Sequence, residues 1–165
     1  MRRFVRVLVA VTSVLTALSA TDVASAAGST ADSDSAYVRG LLFDTPLAGF
    51  TTAAAAHTGR DGTAGDTWFD WSTNLCSAPL VGNTGRTFNF TDACRRHDFG
   101  YRNEQRLERR YGSGAYWNGD IRKLIDKQFL ADMRNHCARR RLIDRPSCYA
   151  WAITFYSAVR IAGGP

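Results

Sequence analysis

Several features that would point to other protein classes are missing from this sequence of 165 residues. After its first residues, no apolar run approaches the roughly 20 residues that a membrane span needs. The chain has no C-x2-C or H-x3-H spacing, so a zinc site built from cysteine and histidine is not expected. It also lacks an alternating strand pattern and an internal repeat. We therefore predict an all-α fold.

The first residues carry the signals of export. Three arginines make a basic start, an apolar stretch follows over residues 5–18, and residues 24–26 are the small residues that a signal peptidase reads. The apolar stretch is shorter than a membrane span, although an uncleaved anchor is the alternative. We predict a signal peptide over residues 1–26 and a secreted, extracellular product.

The chain that remains after this cleavage has the length of one domain. Residues 27–35 are rich in small and polar side chains, and we expect them to form a flexible tail ahead of a domain over residues 36–165. The whole chain has a formal net charge of +6, a mild bias toward anionic surfaces. Arginines cluster within residues 106–110 and 139–141, where a solvated surface explains them at least as well as a binding patch.

All four cysteines lie in the predicted mature chain, and an even number in an oxidising compartment indicates disulfides. Three pairings are possible, and the sequence alone does not choose among them. We favour Cys76 with Cys94 and Cys137 with Cys148, because neighbouring cysteines close short loops. Each such bond would stabilise the fold by roughly 3 kcal/mol by restricting the unfolded chain.

The first half of the mature chain has weak helical signals. Residues 37–57 predict one or two short helices, with Pro46 able to start the second. Glycines over residues 58–66 indicate a loop. Residues 68–76 are aromatic and then polar, with neither helical nor strand periodicity, so a loop that ends in a disulfide fits best.

The second half has three stretches of helical periodicity, each preceded by residues that can cap a helix. The predicted starts are Thr91 or Asp92, then Asn118 or Asp120, and then Ser147. The first helix should end before Gly112, and the second carries an apolar face that runs to Cys137. The expected architecture is therefore a small disulfide-linked helical domain with two long central helices.

His97 is the histidine whose neighbours suggest chemistry, whereas the other two have surface or capping roles as their default. Asp98 follows it directly, and Cys94 and Tyr101 flank it at helical distances. Neighbouring side chains on a helix point about 100° apart, so His97 and Asp98 cannot aim at one atom. They can address the two sides of a small reacting centre.

Each residue type suits one part of an ester hydrolysis. A neutral His97 can take a proton from water, because its reference pKa lies close to working pH. The Asp98 carboxylate can hold a hard cation such as calcium, which would stabilise the oxyanion of an attacked ester. Asp126 lies on the apolar margin of its helix, where an acid needs a partner. We expect it to orient His97, and a salt bridge to Arg122 or Lys123 is the alternative.

Three segments carry a family resemblance: residues 69–76 (FDWSTNLC), residues 93–103 (ACRRHDFGYRN) and residues 125–126 (ID). They resemble the secreted phospholipases A2 of prokaryotes and fungi, and the resemblance extends from about Trp68 to the C-terminal helix. Animal and venom enzymes have a doubled cysteine before the His-Asp helix and a glycine-rich calcium loop. This sequence has neither.

The resemblance implies a role for each site residue. His97 would activate water for attack on the sn-2 ester of a glycerophospholipid, giving a lysophospholipid and a fatty acid, with Asp126 orienting it. Asp98, the side chain of Asn74 and the backbone carbonyl of Leu75 would form a calcium-binding loop. Related bacterial enzymes have Asp where this chain has Asn74. Because an amide brings no charge, we expect weaker Ca2+ binding.

A phospholipid membrane or micelle surface is then the expected partner. Four aromatic residues line an acyl channel or insert at a lipid interface, or else they fill the core: Trp68, Phe69, Trp71 and Phe88. A second function class is a catalytically weakened cationic membrane-binding protein, for which Asn74 is the one mark in favour. A third is a secreted nuclease, which would need more clustered acids than Asp98 offers. We therefore expect no nucleic-acid partner, and nothing in the sequence indicates oligomerisation beyond a monomer.

Overall fold

The computed structural model describes residues 30–57, 68–76, 84–85 and 88–162. The predicted signal peptide, the predicted loop over residues 58–66 and the start of the predicted tail lie outside these residues. The described chain is mostly helical, which confirms the all-α fold class. Its elements are α1 (Ala31–Arg39), a π-helical turn (Gly40–Asp44), α2 (Leu47–His57), β1 (Thr84–Gly85), β2 (Phe88–Asn89), α3 (Thr91–Tyr111), α4 (Gly119–Ala138) and α5 (Arg145–Ala162).

Helix α1 begins at Ala31, within the range of residues 27–35 that the sequence predicts as a tail. Thr30 and Ser33 form a capping box, in which each side chain accepts a hydrogen bond from the other residue's backbone N–H. Asp34 is buried, and Tyr111 Oη donates to its Oδ2 at 2.6 Å. The polar residues Thr30, Ser33 and Asp34 therefore cap α1 and attach it to α3.

The two long central helices are α3 and α4, as predicted, and α5 follows them. Asn118 caps α4, since its Oδ1 accepts from the backbone N–H groups of Asp120 and Ile121, each at 3.0 Å. The expected side-chain cap of α3 is absent, because Thr91 is already its first helical residue. The two-residue strands β1 and β2 were not expected; they pair antiparallel, with Thr84 opposite Asn89.

Both predicted disulfides are present, and each joins two elements of the fold. Cys76–Cys94 ties the segment 68–76 to α3, and Cys137–Cys148 ties α4 to α5. Around them the buried apolar side chains form two clusters. One lies among α3, α4 and α5, and the other lies among α1, the π-helical turn, α2 and α3. Helix α3 contributes to both clusters, and α4 adds Ile125 to the second one.

A buried ion pair between Arg96 and Asp132 also fixes α4 against α3. Arg96 Nε donates to Asp132 Oδ2 at 2.9 Å, Nη2 donates to Oδ1, and both side chains are almost fully buried. The remaining Arg96 donor reaches the carbonyl of Thr45 at 2.5 Å. Removing one member would leave an uncompensated buried charge, which costs about 3–5 kcal/mol in comparable pairs.

Among the described residues, none of the helices combines the length and the apolar character that crossing a bilayer would require.

The connection between α3 and α4 is organised by Glu108. Its carboxylate accepts four backbone hydrogen bonds, from Gly114 and Ser113 on Oε1 and from Tyr116 and Trp117 on Oε2, at 2.7–3.2 Å. These bonds lower the pKa of Glu108 to about 2, and the bond from Gly114 makes the largest contribution to this shift. A single side chain thus sets where α4 starts relative to the end of α3.

We expect Glu108→Gln to lower the melting temperature by a few degrees at neutral pH. The folded-state pKa lies below the unfolded value, so the carboxylate stabilises the fold fully above pH 4.5, and this contribution is lost as the pH falls toward 2. Thermal melts at several pH values should show the gap between the two proteins closing over that interval. A gap that stays constant with pH would contradict this role.

Candidate active site

His97 and Asp126 meet between the two central helices. His97 Nε2, on α3, lies 2.8 Å from Oδ1 of Asp126, on α4, and both side chains are buried. The rings of Tyr101 and Phe129 flank the imidazole, with centroids 4.3 and 4.8 Å from its own. The apolar walls and the carboxylate together determine the orientation of the imidazole ring.

Asp126 is surrounded by donors from three helices. Besides His97, Tyr101 Oη donates to Oδ1 at 2.7 Å, and Arg160 Nη1 donates to Oδ2 at 2.7 Å. Arg122 Nε lies 3.9 Å from Oδ2, so the predicted alternative partner is also close. Burial alone would raise the pKa of Asp126, but the bonds from His97, Arg160 and Tyr101 outweigh it and lower the pKa. The buried carboxylate is therefore held in its charged form.

Arg160 is the member of this group that sequence reasoning missed. It lies in the last turn of α5, and the guanidinium of Arg122 donates to its backbone carbonyl at 2.7 Å. No motif or spacing links position 160 to position 126, so only the packing of α5 on α4 reveals it. Tyr101 is a donor here, because burial and the nearby Asp126 raise the pKa of its hydroxyl.

Asp98 points away from His97 and toward the segment 68–76. Its Oδ2 accepts from Thr73 Oγ1 at 2.5 Å and from the backbone N–H groups of Asn74 and Leu75, each at 3.0 Å. Burial raises the pKa of Asp98, and the bond from Thr73 offsets part of this. The two neighbouring side chains therefore serve different partners, a carboxylate on α4 and a loop beside α3.

The loop over Asp98 has an unusual backbone. Leu75 has a φ of 58°, a left-handed conformation that is uncommon for a residue with a bulky side chain. Its N–H lies 2.9 Å from Thr73 Oγ1 as well as 3.0 Å from Asp98 Oδ2. Next to it, the amide oxygen of Asn74 accepts from Arg102 Nη2 at 3.3 Å. A guanidinium therefore contacts the amide oxygen of Asn74, which the sequence predicts as a calcium ligand.

These groups offer oxygen ligands of the types that calcium accepts, but only one of the ligands carries a negative charge. Asp98 contributes a carboxylate, Asn74 an amide oxygen, and Leu75 a backbone carbonyl in the same turn, which are all ligands that calcium accepts. Across the described ranges, no group of three or more His, Cys, Asp or Glu side chains could hold a metal ion. By donor chemistry the residues fit a calcium site with one negative charge.

The loop is attached to α3 at regular intervals along the helix. Beyond the disulfide and the Asp98 bonds, Asn103 binds both backbone groups of Asp70: its Oδ1 accepts from the N–H at 2.7 Å and its Nδ2 donates to the carbonyl at 2.9 Å. Further along, Arg106 donates to the carbonyl of Trp68 and, at 3.2 Å, to Asp70 Oδ2. The loop therefore runs antiparallel to α3 and is anchored to it along its whole length.

The aromatic side chains of this loop pack onto the protein. Phe69 is buried and stacks on Tyr37 at 4.7 Å between centroids, and Trp71 packs against Phe99 at 4.5 Å. The ring of His57 stacks on Trp71 at 4.2 Å, so this histidine supports the loop from α2. Of the two interpretations of these aromatics, the structure favours core filling.

Taken together, these residues form a hydrolytic type of centre in a small helical domain: a histidine oriented by a buried acid, beside an oxygen-lined loop. The family model described as prokaryotic phospholipase A2 matches residues 39–163. Over 156 residues the chain is 32% identical to a secretory phospholipase A2 of Arthroderma benhamiae, covering 92% of this chain and 95% of that protein. Over 95 residues it is 36% identical to a secretory phospholipase A2 of Beauveria bassiana, covering 58% of this chain and 44% of that protein.

The chain belongs to the prokaryotic phospholipase A2 family. The resemblance seen in the sequence is thereby confirmed, and with it the assignment of the chain as a phospholipase A2 enzyme.

We expect Asn103→Ala to destabilise the protein by about 2 kcal/mol, because it leaves two backbone groups of Asp70 without their partner. Denaturant unfolding measures this loss, and Asn135→Ala, at an exposed position on α4, is the matched control. Equal stability of the two variants would show that Asn103 does not anchor the loop.

Proposed function

We propose that this chain is a secreted, calcium-dependent phospholipase A2 that hydrolyses the sn-2 ester of glycerophospholipids at a membrane or micelle surface. The observation that carries the proposal is the buried hydrogen bond between His97 and Asp126. Burying a charged carboxylate beside a histidine on a neighbouring helix costs free energy of folding. This cost argues that the site still catalyses a reaction, and against the alternative of a membrane-binding protein with a decayed site.

In the proposed mechanism His97 is the general base. Its Nε2 proton is directed at Asp126, which leaves Nδ1 for a water molecule; within the described residues Nδ1 makes no other hydrogen bond. The imidazole takes a proton from this water as the oxygen attacks the ester carbonyl carbon. It then returns the proton to the alcohol oxygen that leaves with the lysophospholipid.

Asp126 and its donors are positioning residues in this scheme. The carboxylate keeps the proton on Nε2 and stabilises the imidazolium that forms during the reaction. Tyr101 and Arg160 hold the carboxylate in place, and the positive charge of Arg160 offsets the cost of burying it. None of these three side chains needs to touch the substrate.

Asp98, Asn74 and Leu75 would hold the calcium ion. When bound, calcium would stabilise the negative charge that develops on the ester carbonyl oxygen. The bonds from Thr73, Asn74 and Leu75 to Asp98 order the loop in advance, so less ordering is needed on binding. The fungal relatives are named secretory, and this supports export through the proposed signal peptide at residues 1–26.

The mechanism predicts a graded loss of activity. His97→Gln should lower turnover by a factor of about 10²–10⁴, because the base is removed. Asp126→Asn should lower turnover by about 10–100-fold while the protein stays folded, because only the orienting charge is lost. Hydrolysis of a phospholipid labelled at the sn-2 chain measures both, and Lys127→Gln, exposed on the same helix, is the control. Wild-type turnover in His97→Gln would rule out the mechanism.

The proposed calcium site predicts a gain from Asn74→Asp. A second negative charge beside Asp98 should tighten Ca2+ binding by about tenfold, since ligand charge tunes the affinity of such sites. Isothermal titration calorimetry measures this directly, independently of activity. Asn135→Asp adds the same charge at an exposed position and should leave Ca2+ affinity unchanged.

Two results would contradict the role of calcium. One is an identical calcium affinity for the wild type and Asn74→Asp. The other is full hydrolytic activity of the wild type in the presence of a chelator.

A further inference from the structure

The turn between α4 and α5 exposes two adjacent large apolar side chains. Leu142 is 76% exposed and Ile143 is 82% exposed, and Tyr149 and Ile153 are also partly exposed one and two turns into α5. Single exposed apolar residues are ordinary on protein surfaces. An adjacent pair at the tip of a turn is a contact surface that has no partner within the described part of the chain.

Arginines frame this apolar pair. The turn, defined here as residues 139–145, carries four arginines at positions 139, 140, 141 and 145, and a single acid, Asp144. The side chain of Arg141 is 82% exposed and bonds Asp144 Oδ2 at 2.9 Å. Arg139 is exposed, whereas the guanidinium of Arg140 lies over the ring of Phe88. The surface around Leu142 and Ile143 is therefore positively charged.

The turn is also held rigidly in this exposed position. The Cys137–Cys148 disulfide brackets it, and within it the backbone N–H of Asp144 donates to the carbonyl of Arg141 at 2.9 Å. Arg145 Nε donates to the carbonyl of Arg140 at 3.0 Å. The disulfide and these hydrogen bonds thus hold Leu142 and Ile143 in solvent, although exposing apolar side chains to water is unfavourable.

We propose that residues 139–145 dock the enzyme on anionic phospholipid surfaces, with Leu142 and Ile143 inserted among the headgroups and the arginines bound to phosphate. This inference rests on the proposed function. Apolar side chains ringed by basic ones match the layers of an anionic membrane interface. A symmetric dimer through the same turn would bring the arginines of two copies together, and this repulsion makes a second copy a poor occupant.

The turn follows the C-terminal end of α4, and the Cys137–Cys148 disulfide joins that end to the start of α5. The turn lies about 20 Å along α4 from Asp126, since each helical residue adds about 1.5 Å, so it is separate from the proposed catalytic residues.

The test is a binding measurement on vesicles of diether lipids, whose ether links cannot be hydrolysed. Wild-type protein should bind phosphatidylglycerol vesicles at least tenfold more tightly than phosphatidylcholine vesicles. The double variant Leu142→Ser/Ile143→Ser and the double variant Arg139→Gln/Arg141→Gln should each weaken binding to phosphatidylglycerol at least tenfold. Ile161→Ser, which alters an 86% exposed apolar residue at the far end of α5, and Lys123→Gln are the matched controls.

Three results would overturn the proposal: turn variants that bind like the wild type, equal binding to both lipids, or controls that weaken binding as much as the turn variants. A change in sedimentation coefficient without a change in vesicle binding would identify the turn as a self-association surface instead, which also overturns it. Circular dichroism confirms that each variant is folded.

Hydrolysis separates this proposal from the proposed function. With a short-chain phospholipid below its critical micelle concentration, the turn variants should keep the wild-type rate. If the wild-type protein binds vesicles but hydrolyses no phospholipid, the proposed function fails and the docking surface stands. If it hydrolyses phospholipid while the turn variants bind vesicles normally, the docking surface fails alone.

Discussion

A carboxylate with no exposed surface lies at the centre of this protein, and the packing of its helices is arranged around it. Asp126 would be strongly destabilising without partners, because charge is costly to bury. Its donors come from two other helices: His97 and Tyr101 from α3, and Arg160 from α5. Helices α3, α4 and α5 must therefore pack in one register for this acid to remain charged, and the same register orients His97.

The structure also depends on helix α3, because different side chains of α3 contact α4 and the segment 68–76. One face presents His97 to α4, and another binds the segment 68–76 through Cys94, Asp98 and Asn103. Arg96, next to His97 in the chain, is buried against Asp132 of α4. Since one helix carries all these groups, the His97–Asp126 pair and the oxygen-lined loop are held in a fixed relative position, and catalysis of a reaction between two groups depends on such fixed geometry.

The charge of the oxygen-lined loop depends on position 74. Asn74 is an uncharged amide, and the guanidinium of Arg102 donates to its amide oxygen at 3.3 Å. The loop therefore keeps its hydrogen-bonded shape around Asp98 while it has less charge to attract a cation. The shape of the loop does not require a charge at position 74, because the Asp98 carboxylate is bound by the backbone N–H groups of Asn74 and Leu75 and by the Thr73 hydroxyl.

The sequence by itself determined the long helices, the family, and the marking of His97, Asp98 and Asp126 as site candidates, because these signals depend on spacing along one helix or on local motifs. The helical wheel could mark Asp126 as an acid in need of a partner. Only the tertiary structure decided that His97 and Arg160 are its partners, which cysteines pair, and that Asn103 anchors the loop. These contacts join residues far apart in the chain, and no local periodicity encodes which distant groups the packing of helices brings within hydrogen-bonding distance.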